Sequence, residues 1–288
     1  MLADAFAAER LRFFKARGVL FWSLGFVPLV SIVIGLIQGL LMRNLLARAV
    51  AEGNPAATLA RQPIALMNQA VESVSGSNFF LVQLFFLIAG SAILAGDYRW
   101  ETWRFLTPRN TRTNLLLAKL ATFGLATLIG LALLALGGII AGLISAGLTG
   151  GGVQWARAGE YTNQQFAGIF AIAFLEMMTL GALAAVIAVA TRTGIAALLA
   201  PVGVWIVQGF VVSQATKGLP DPLNPPLQYI AGFPVLDADL LKAALSPAQL
   251  GMAVSVNWPA ALLALLLWIV ALAALAVWLF KRQDLTRE

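Results

Sequence analysis

Pro259-Ala-Ala-Leu-Leu-Ala-Leu-Leu-Leu-Trp-Ile-Val-Ala-Leu-Ala-Ala-Leu-Ala-Val-Trp-Leu-Phe280 contains no charge and is stopped by Lys281-Arg282. A hydrocarbon core of about 30 Å needs about 20 apolar residues in a helix, so this stretch is long enough to cross a bilayer. Trp258 and Trp278 bracket it, as interfacial anchors do. Working back towards the N-terminus, five more uncharged or nearly uncharged runs of spanning length appear. They are Gly18–Met42, Ser73–Gly96 (apolar from Asn78), Leu120–Ala156 (apolar to Leu148), Tyr161–Thr191, broken by Glu176, and Thr193–Thr216. The predicted helices cover residues 18–42, 78–96, 115–148, 166–190, 195–216 and 259–280. The fold class is an all-α integral membrane protein with six transmembrane helices, and residues 18–288 form one domain. Composition agrees: 60% of the 288 residues are hydrophobic and 11% charged, against about 25% charged in a soluble domain.

Six spans place both termini on one side, and the basic residues choose which. With the termini cytoplasmic, thirteen of the 19 Lys and Arg fall inside, while the acids divide evenly. Lys and Arg accumulate on cytoplasmic loops, so the net charge of +6 is an orientation signal. The first apolar run is longer than the ~7–15 residues of a signal-peptide core and lacks a cleavage site, so a cleaved leader is not expected.

There is no Cys and no His. Thiolate chemistry, iron–sulfur and zinc sites built on Cys, HExxH metalloprotease chemistry and Ser-His-Asp triads are thereby excluded. No GxxxxGK[ST] phosphate loop exists, so the chain has no P-loop route to nucleotide hydrolysis. No catalytic residue, metal ligand or cofactor site is assigned to this chain, and no nucleic-acid partner is expected.

Three segments outside the spans carry information. Residues 1–17 place Leu2, Phe6 and Phe13 on one helical stripe with Asp4, Arg12 and Lys15 opposite, and read as an amphipathic helix on the inner interface or as a basic tail. Between spans two and three, Asp97-Tyr-Arg-Trp-Glu-Thr-Trp-Arg-Phe-Leu-Thr-Pro108 alternates aromatic and charged residues. Trp100 and Trp103 are spaced i,i+3, which puts both on one face of a short helix ended by Pro108. That face is either a headgroup anchor or a docking knob for a soluble partner. Residues 217–258 hold six prolines between apolar pieces and predict short helices that partly re-enter the bilayer.

The 97–119 segment resembles a signature of the permease subunits of exporter-type ABC transporters, the ABC-2-type permeases. That signature has an acid after the second span, then Gly-Thr, a leucine-rich turn, a proline, Ser/Thr-Arg, and Lys seven residues on. Here Asp97, Thr102, Leu106, Pro108, Thr111-Arg112 and Lys119 follow in that order. Asp97 stands where Glu is commoner, Glu101 replaces the Gly, and Pro108 lies one residue further from Arg112. The resemblance covers the whole chain and implies a mechanical role. Residues 97–114 would be a coupling helix docked on a separate cytoplasmic ATPase subunit present in two copies, through Asp97, Arg99, Trp100, Glu101, Thr102, Trp103, Arg104, Pro108 and Arg112. ATP and Mg would bind that partner. A second permease copy or a paralogue would complete the transporter in the bacterial inner membrane, among lipids.

Glu176 lies near the middle of the fourth span. A charge there costs at least ~2.5–3.5 kcal/mol, which points to a substrate or proton site. The alternative is a structural Glu bonded to a neighbouring helix, for instance to Gln208. Gly35/Gly39 and Gly138/Gly142 are GxxxG pairs that permit close helix packing and a dimer seam. The span walls lack charge apart from Glu176, which favours an apolar or amphipathic cargo such as a lipid, drug or antimicrobial peptide. A stand-alone secondary transporter or channel using Glu176 is the second reading. Gly96-Asp97 faintly resembles the Gly-Asp of intramembrane aspartyl proteases, but no Asp lies between Asp97 and Asp221 to complete a pair.

Overall fold

The computed structural model describes residues 2–52, 63–100, 102–103, 110–157, 160–217, 219, 225–246 and 256–283. Helix α1 (Leu2–Lys15) leads into α2 (Arg17–Ala51). Beyond it come α3 (Leu66–Ser75), α4 (Phe80–Arg99) and α5 (Arg112–Thr149). Then follow α6 (Asn163–Thr191), α7 (Gly194–Thr216), the short α8 (Leu227–Gly232) and α9 (Pro234–Leu245), and finally α10 (Trp258–Arg282). A two-residue parallel bridge joins Ile64–Ala65 to Val153–Gln154. Six of the helices, α2, α4, α5, α6, α7 and α10, are long and apolar enough to span a bilayer. The chain is a multi-pass, all-α membrane protein.

The six expected spans are present, but several run beyond their apolar runs. Helix α2 continues through Arg43 and Arg48 to Ala51, because arginine is a good helix former whose long stem leaves the charge in water. The apolar run marks the bilayer, whereas the helix ends where its hydrogen bonds do. Helix α5 has 38 residues, about 57 Å at 1.5 Å per residue, longer than a bilayer core. The Thr111 hydroxyl accepts from the backbone N–H of Asn114 at its start, and Gly150, at φ 69°, ends it in the left-handed region. Helix α6 opens with a capping box in which Thr162 and Gln165 bond each other's backbone.

Within α2, residues 21–25 form a π turn. Pro28 follows three residues later. It removes the N–H that would bond Leu24 and crowds that carbonyl, and a widened turn just before it accommodates both. Pro28 rests on Gly137 of α5, where an added Cβ would lie 3.0 Å from the Pro28 Cα.

Helices α5 and α6 are the axis of the bundle. Helix α5 carries α1, α2 and α3 along its length, and α6 is enclosed by α4, α7, α9 and α10. Helices α2, α7 and α10 turn exposed apolar side chains outward, among them Ile37, Phe210 and Leu267, as lipid-facing helices do.

The GxxxG pairs are spent inside this chain. Gly35 and Gly39 of α2 lie against Ala141 and Ser145 of α5, while Gly138 and Gly142 face Gln69 and Ser73 of α3. They bring α2, α3 and α5 together and do not form an open seam for a second copy. Helix α3 was not expected. It buries Met67, Ala70, Val71 and Val74, an i, i+3, i+4, i+7 stripe.

The 217–258 segment does contain short helices, and α9 packs on α6 and α10. The N-terminal stripe differs from expectation. Helix α1 buries Ala5, Glu9 and Phe13, while Leu2 is 45% exposed. An acid takes the centre of the inward face because a buried cation on α5 meets it.

Candidate functional site

That cation is Lys119, which is 2% exposed. Its Nζ lies 2.6 Å from Asp97 Oδ2 of α4 and 3.2 Å from Glu9 Oε2 of α1. It also donates to the Ile93 carbonyl at 2.6 Å. An ammonium has three protons; here hydrogen bonds go to Glu9 and to the Ile93 carbonyl, and Asp97 lies against the same ammonium as an ion pair. Arg12 approaches Glu9 at 3.1 Å and Asp97 at 3.4 Å from a partly exposed position. The Thr102 hydroxyl also donates to Asp97. Two acids meet two bases, so the cluster is neutral as a whole, which is the condition under which buried charge is tolerated.

Immediately beside it, Trp103 is buried between Tyr98 and Phe280, with ring centroids 5.5 and 4.5 Å away. Lys119 Nζ stands 5.2 Å from its ring centroid, within cation–π range. One Nη of Arg112 donates to the carbonyls of Phe280, Lys281 and Gln283 at 3.0, 3.1 and 2.6 Å. The Phe280 and Lys281 carbonyls belong to the last turn of α10, where helical carbonyls lack a partner within the helix, and Gln283 caps it. Tyr98 donates to the Gln283 side chain at 2.8 Å, and that side chain donates in turn to the Val189 carbonyl of α6 at 3.0 Å. One end of the bundle is thus tied across α1, α4, α5, α6 and α10. Lys119 and Trp103 link α1 to the end of α10 there.

The spacing argument for Trp100 and Trp103 does not hold. Helix α4 ends at Arg99, and the two rings part: Trp100 is 70% exposed, stacked with the Arg99 guanidinium 5.1 Å from its centroid, while Trp103 is core. The other expected docking residues divide the same way. Asp97, Trp103 and Arg112 are committed to internal partners, and Arg99 and Trp100 face outward. Glu101, Arg104, Leu106 and Pro108 lie outside the described residues. A cavity of about 490 Å3 opens between this exposed pair and the charge cluster, floored by Phe13, Ser91 and Gly194. Glu9 was not singled out from sequence. Its i+4 spacing between Ala5 and Phe13 was the available signal.

The second polar centre lies near the middle of α6. Glu176 is 1% exposed, and its Oε2 accepts from Lys242 of α9 at 2.6 Å. Lys242, not Gln208, is therefore the partner, and α9 reaches the depth of mid-span. Asp239 lies one turn earlier on α9 and is exposed. Asp237 is fully buried, and burial alone pushes its carboxyl up to about 8. Between α4, α6, α7 and α9 lies a cavity of about 320 Å3 whose wall includes Gln83, Glu176, Trp205 and Asp239. Nothing in the sequence pairs positions 176 and 242, because α9 meets α6 only in the folded chain.

Comparison with protein-family models and with curated proteins finds no match to this chain.

Proposed function

We propose that the chain is the membrane subunit of an ATP-driven exporter of the ABC-2 permease kind, with hydrolysis on a separate ATPase subunit docked beside Trp100. One observation carries this reading. Asp97, Thr102, Arg112 and Lys119, four of the residues of the resemblance, converge on one hub that joins the interhelical segment to α1, α5 and α10. A push on the exposed Arg99–Trp100 corner would reach four helices through those contacts, as a coupling element requires. In this reading both termini are cytoplasmic and the membrane is the bacterial inner membrane. The cargo is apolar or amphipathic.

The test places a photocrosslinker at position 100 and, separately, at position 103 in native membranes. A nucleotide-hydrolysing subunit captured from 100 but not from 103 supports the reading. Crosslinks from 100 to lipid alone overturn it. Because the chain lacks cysteine, single Cys residues at 15 and 283 report sidedness with an impermeant thiol reagent, and labelling from the outside would reject the proposed orientation.

The buried Glu176–Lys242 pair favours a second reading, a secondary transporter that moves its load through that site. Uptake into inverted vesicles separates the two: ATP drives it in the first case, and an ion gradient alone in the second.

A further inference from the structure

The cavity between α4, α6, α7 and α9 has a wall that packing does not explain. Gln83 is fully buried and lines it, yet neither its amide oxygen nor its amide nitrogen has a hydrogen-bond partner among the described residues. A buried amide left unmatched is costly, and a leucine of similar size would fill the position without that cost. Beside Gln83 the wall carries two carboxylic acids, Glu176 and Asp239, and the rings of Phe79, Phe80 and Trp205. Among the described residues no Lys or Arg lines it, and Lys242 meets Glu176 beside the cavity. Carboxylates, an amide oxygen and aromatic faces are the groups that recognise a cation carried on an apolar body.

The chain itself supplies one such cation. Lys242 presents an ammonium on a four-carbon stem, and that ammonium lies 2.6 Å from Glu176 Oε2. Its side chain retains 13% exposure, whereas that of Glu176 retains 1%. The acid is fixed in the span, and the base comes from α9, outside the six spans.

We propose that this cavity binds an organic ammonium ion on an apolar stem, and that Lys242 occupies Glu176 until the ligand displaces it. Glu176 accepts from the ligand's N–H groups, Gln83 adds its amide oxygen, and Phe79, Phe80 and Trp205 enclose the apolar part. Binding releases Lys242 and with it the ion pair between α9 and α6, whose apolar contacts remain. The ligand is either a free amine or the headgroup of an aminophospholipid, which share this chemistry. As the cargo of the exporter proposed above, it rests on that reading. As a binding site it does not.

The test uses the purified full chain in nanodiscs of phosphatidylglycerol, without any ATPase. 4-Fluorophenethylamine is titrated and followed by fluorine NMR, with 4-fluorophenylethanol as the uncharged control. The amine is expected to bind saturably and the alcohol at least about tenfold more weakly, since a charged hydrogen bond is lost. Gln83→Leu and Glu176→Gln should each weaken the amine by about tenfold or more, and Lys242→Met should tighten it by about tenfold. Gln83→Leu keeps the test sound if Glu176→Gln fails to fold. Equal affinity for amine and alcohol, or unchanged amine binding in Gln83→Leu, overturns the site. Phosphatidylethanolamine added to the nanodiscs identifies the source: competition with the amine marks the lipid headgroup as ligand, and its absence marks a free amine. Binding that persists while ATP-driven transport is never found overturns the exporter reading and leaves the site standing. Transport without amine binding does the reverse.

Discussion

Lys119 on α5 holds Asp97 on α4 at 2.6 Å, with Glu9 of α1 on the same ammonium at 3.2 Å. Removing the cation leaves two buried carboxylates with only Arg12 between them. Breaking a buried pair on one side costs about 3–5 kcal/mol, and Lys119→Met is expected to lose that much and to melt well below wild type in detergent. Adding Asp97→Asn should recover part of the loss, because one stranded charge is gone. A double variant no more stable than Lys119→Met would show that the acid is not strained by the cation's absence.

The two tryptophans of the interhelical segment should behave oppositely. Trp103 is packed between Tyr98 and Phe280, and Trp103→Ala is expected to cost about 3–5 kcal/mol. Trp100→Ala touches a 70% exposed ring and should leave stability within about 0.5 kcal/mol. On the coupling proposal it should still impair ATP-driven transport. Thermal melts of both variants, alongside transport by Trp100→Ala, check the division.

Gly138 sits where α5 crosses α3, and an added Cβ would overlap the Ser73 hydroxyl and the Gln69 carbonyl. The carbonyl belongs to helical backbone and cannot rotate away, so Gly138→Ala should cost about 1–3 kcal/mol. Gly147, also on α5, has open space at the Cβ position, and Gly147→Ala is expected to be neutral or stabilising. Paired unfolding measurements of the two variants decide whether the close crossing or the glycine count matters.

Asp237 gives the fold a pH dependence. Burial raises its carboxyl from 3.8 to about 8 in the folded state, so the folded chain binds the proton more tightly than the unfolded chain. Its contribution to stability is complete below pH 3.8 and fades as pH climbs to about 8. Asp237→Asn should flatten the melting temperature across that window and raise it relative to wild type at alkaline pH. An unchanged slope in the Asn variant would assign the dependence to another group.

Apolar run length placed all six spanning helices, because the bilayer imposes one requirement on every segment that crosses it. It could not locate helix ends in water, where Arg43 and Arg48 continue α2 without any apolar signal. It also gave no account of which polar groups face inward. Lys119 was visible as the end of a motif, but its acceptors Glu9 and Ile93 depend on how α1 and α4 pack. Trp100 and Trp103 were equivalent by spacing and became opposites because α4 stops at Arg99, before both. Glu176 drew attention as a charge in an apolar run, while Lys242 and Gln83 became informative only once α9 and α4 closed on it.

The hydrogen bond from Arg112 to the carbonyl of Phe280 joins positions 168 residues apart. During synthesis the first half of the bundle must therefore wait in the membrane with its latch open until the last helix is inserted. A chain halted before residue 280 would leave the Arg112 guanidinium and the Trp103 ring uncovered, a charged and aromatic patch that a membrane quality-control protease could read as unfinished.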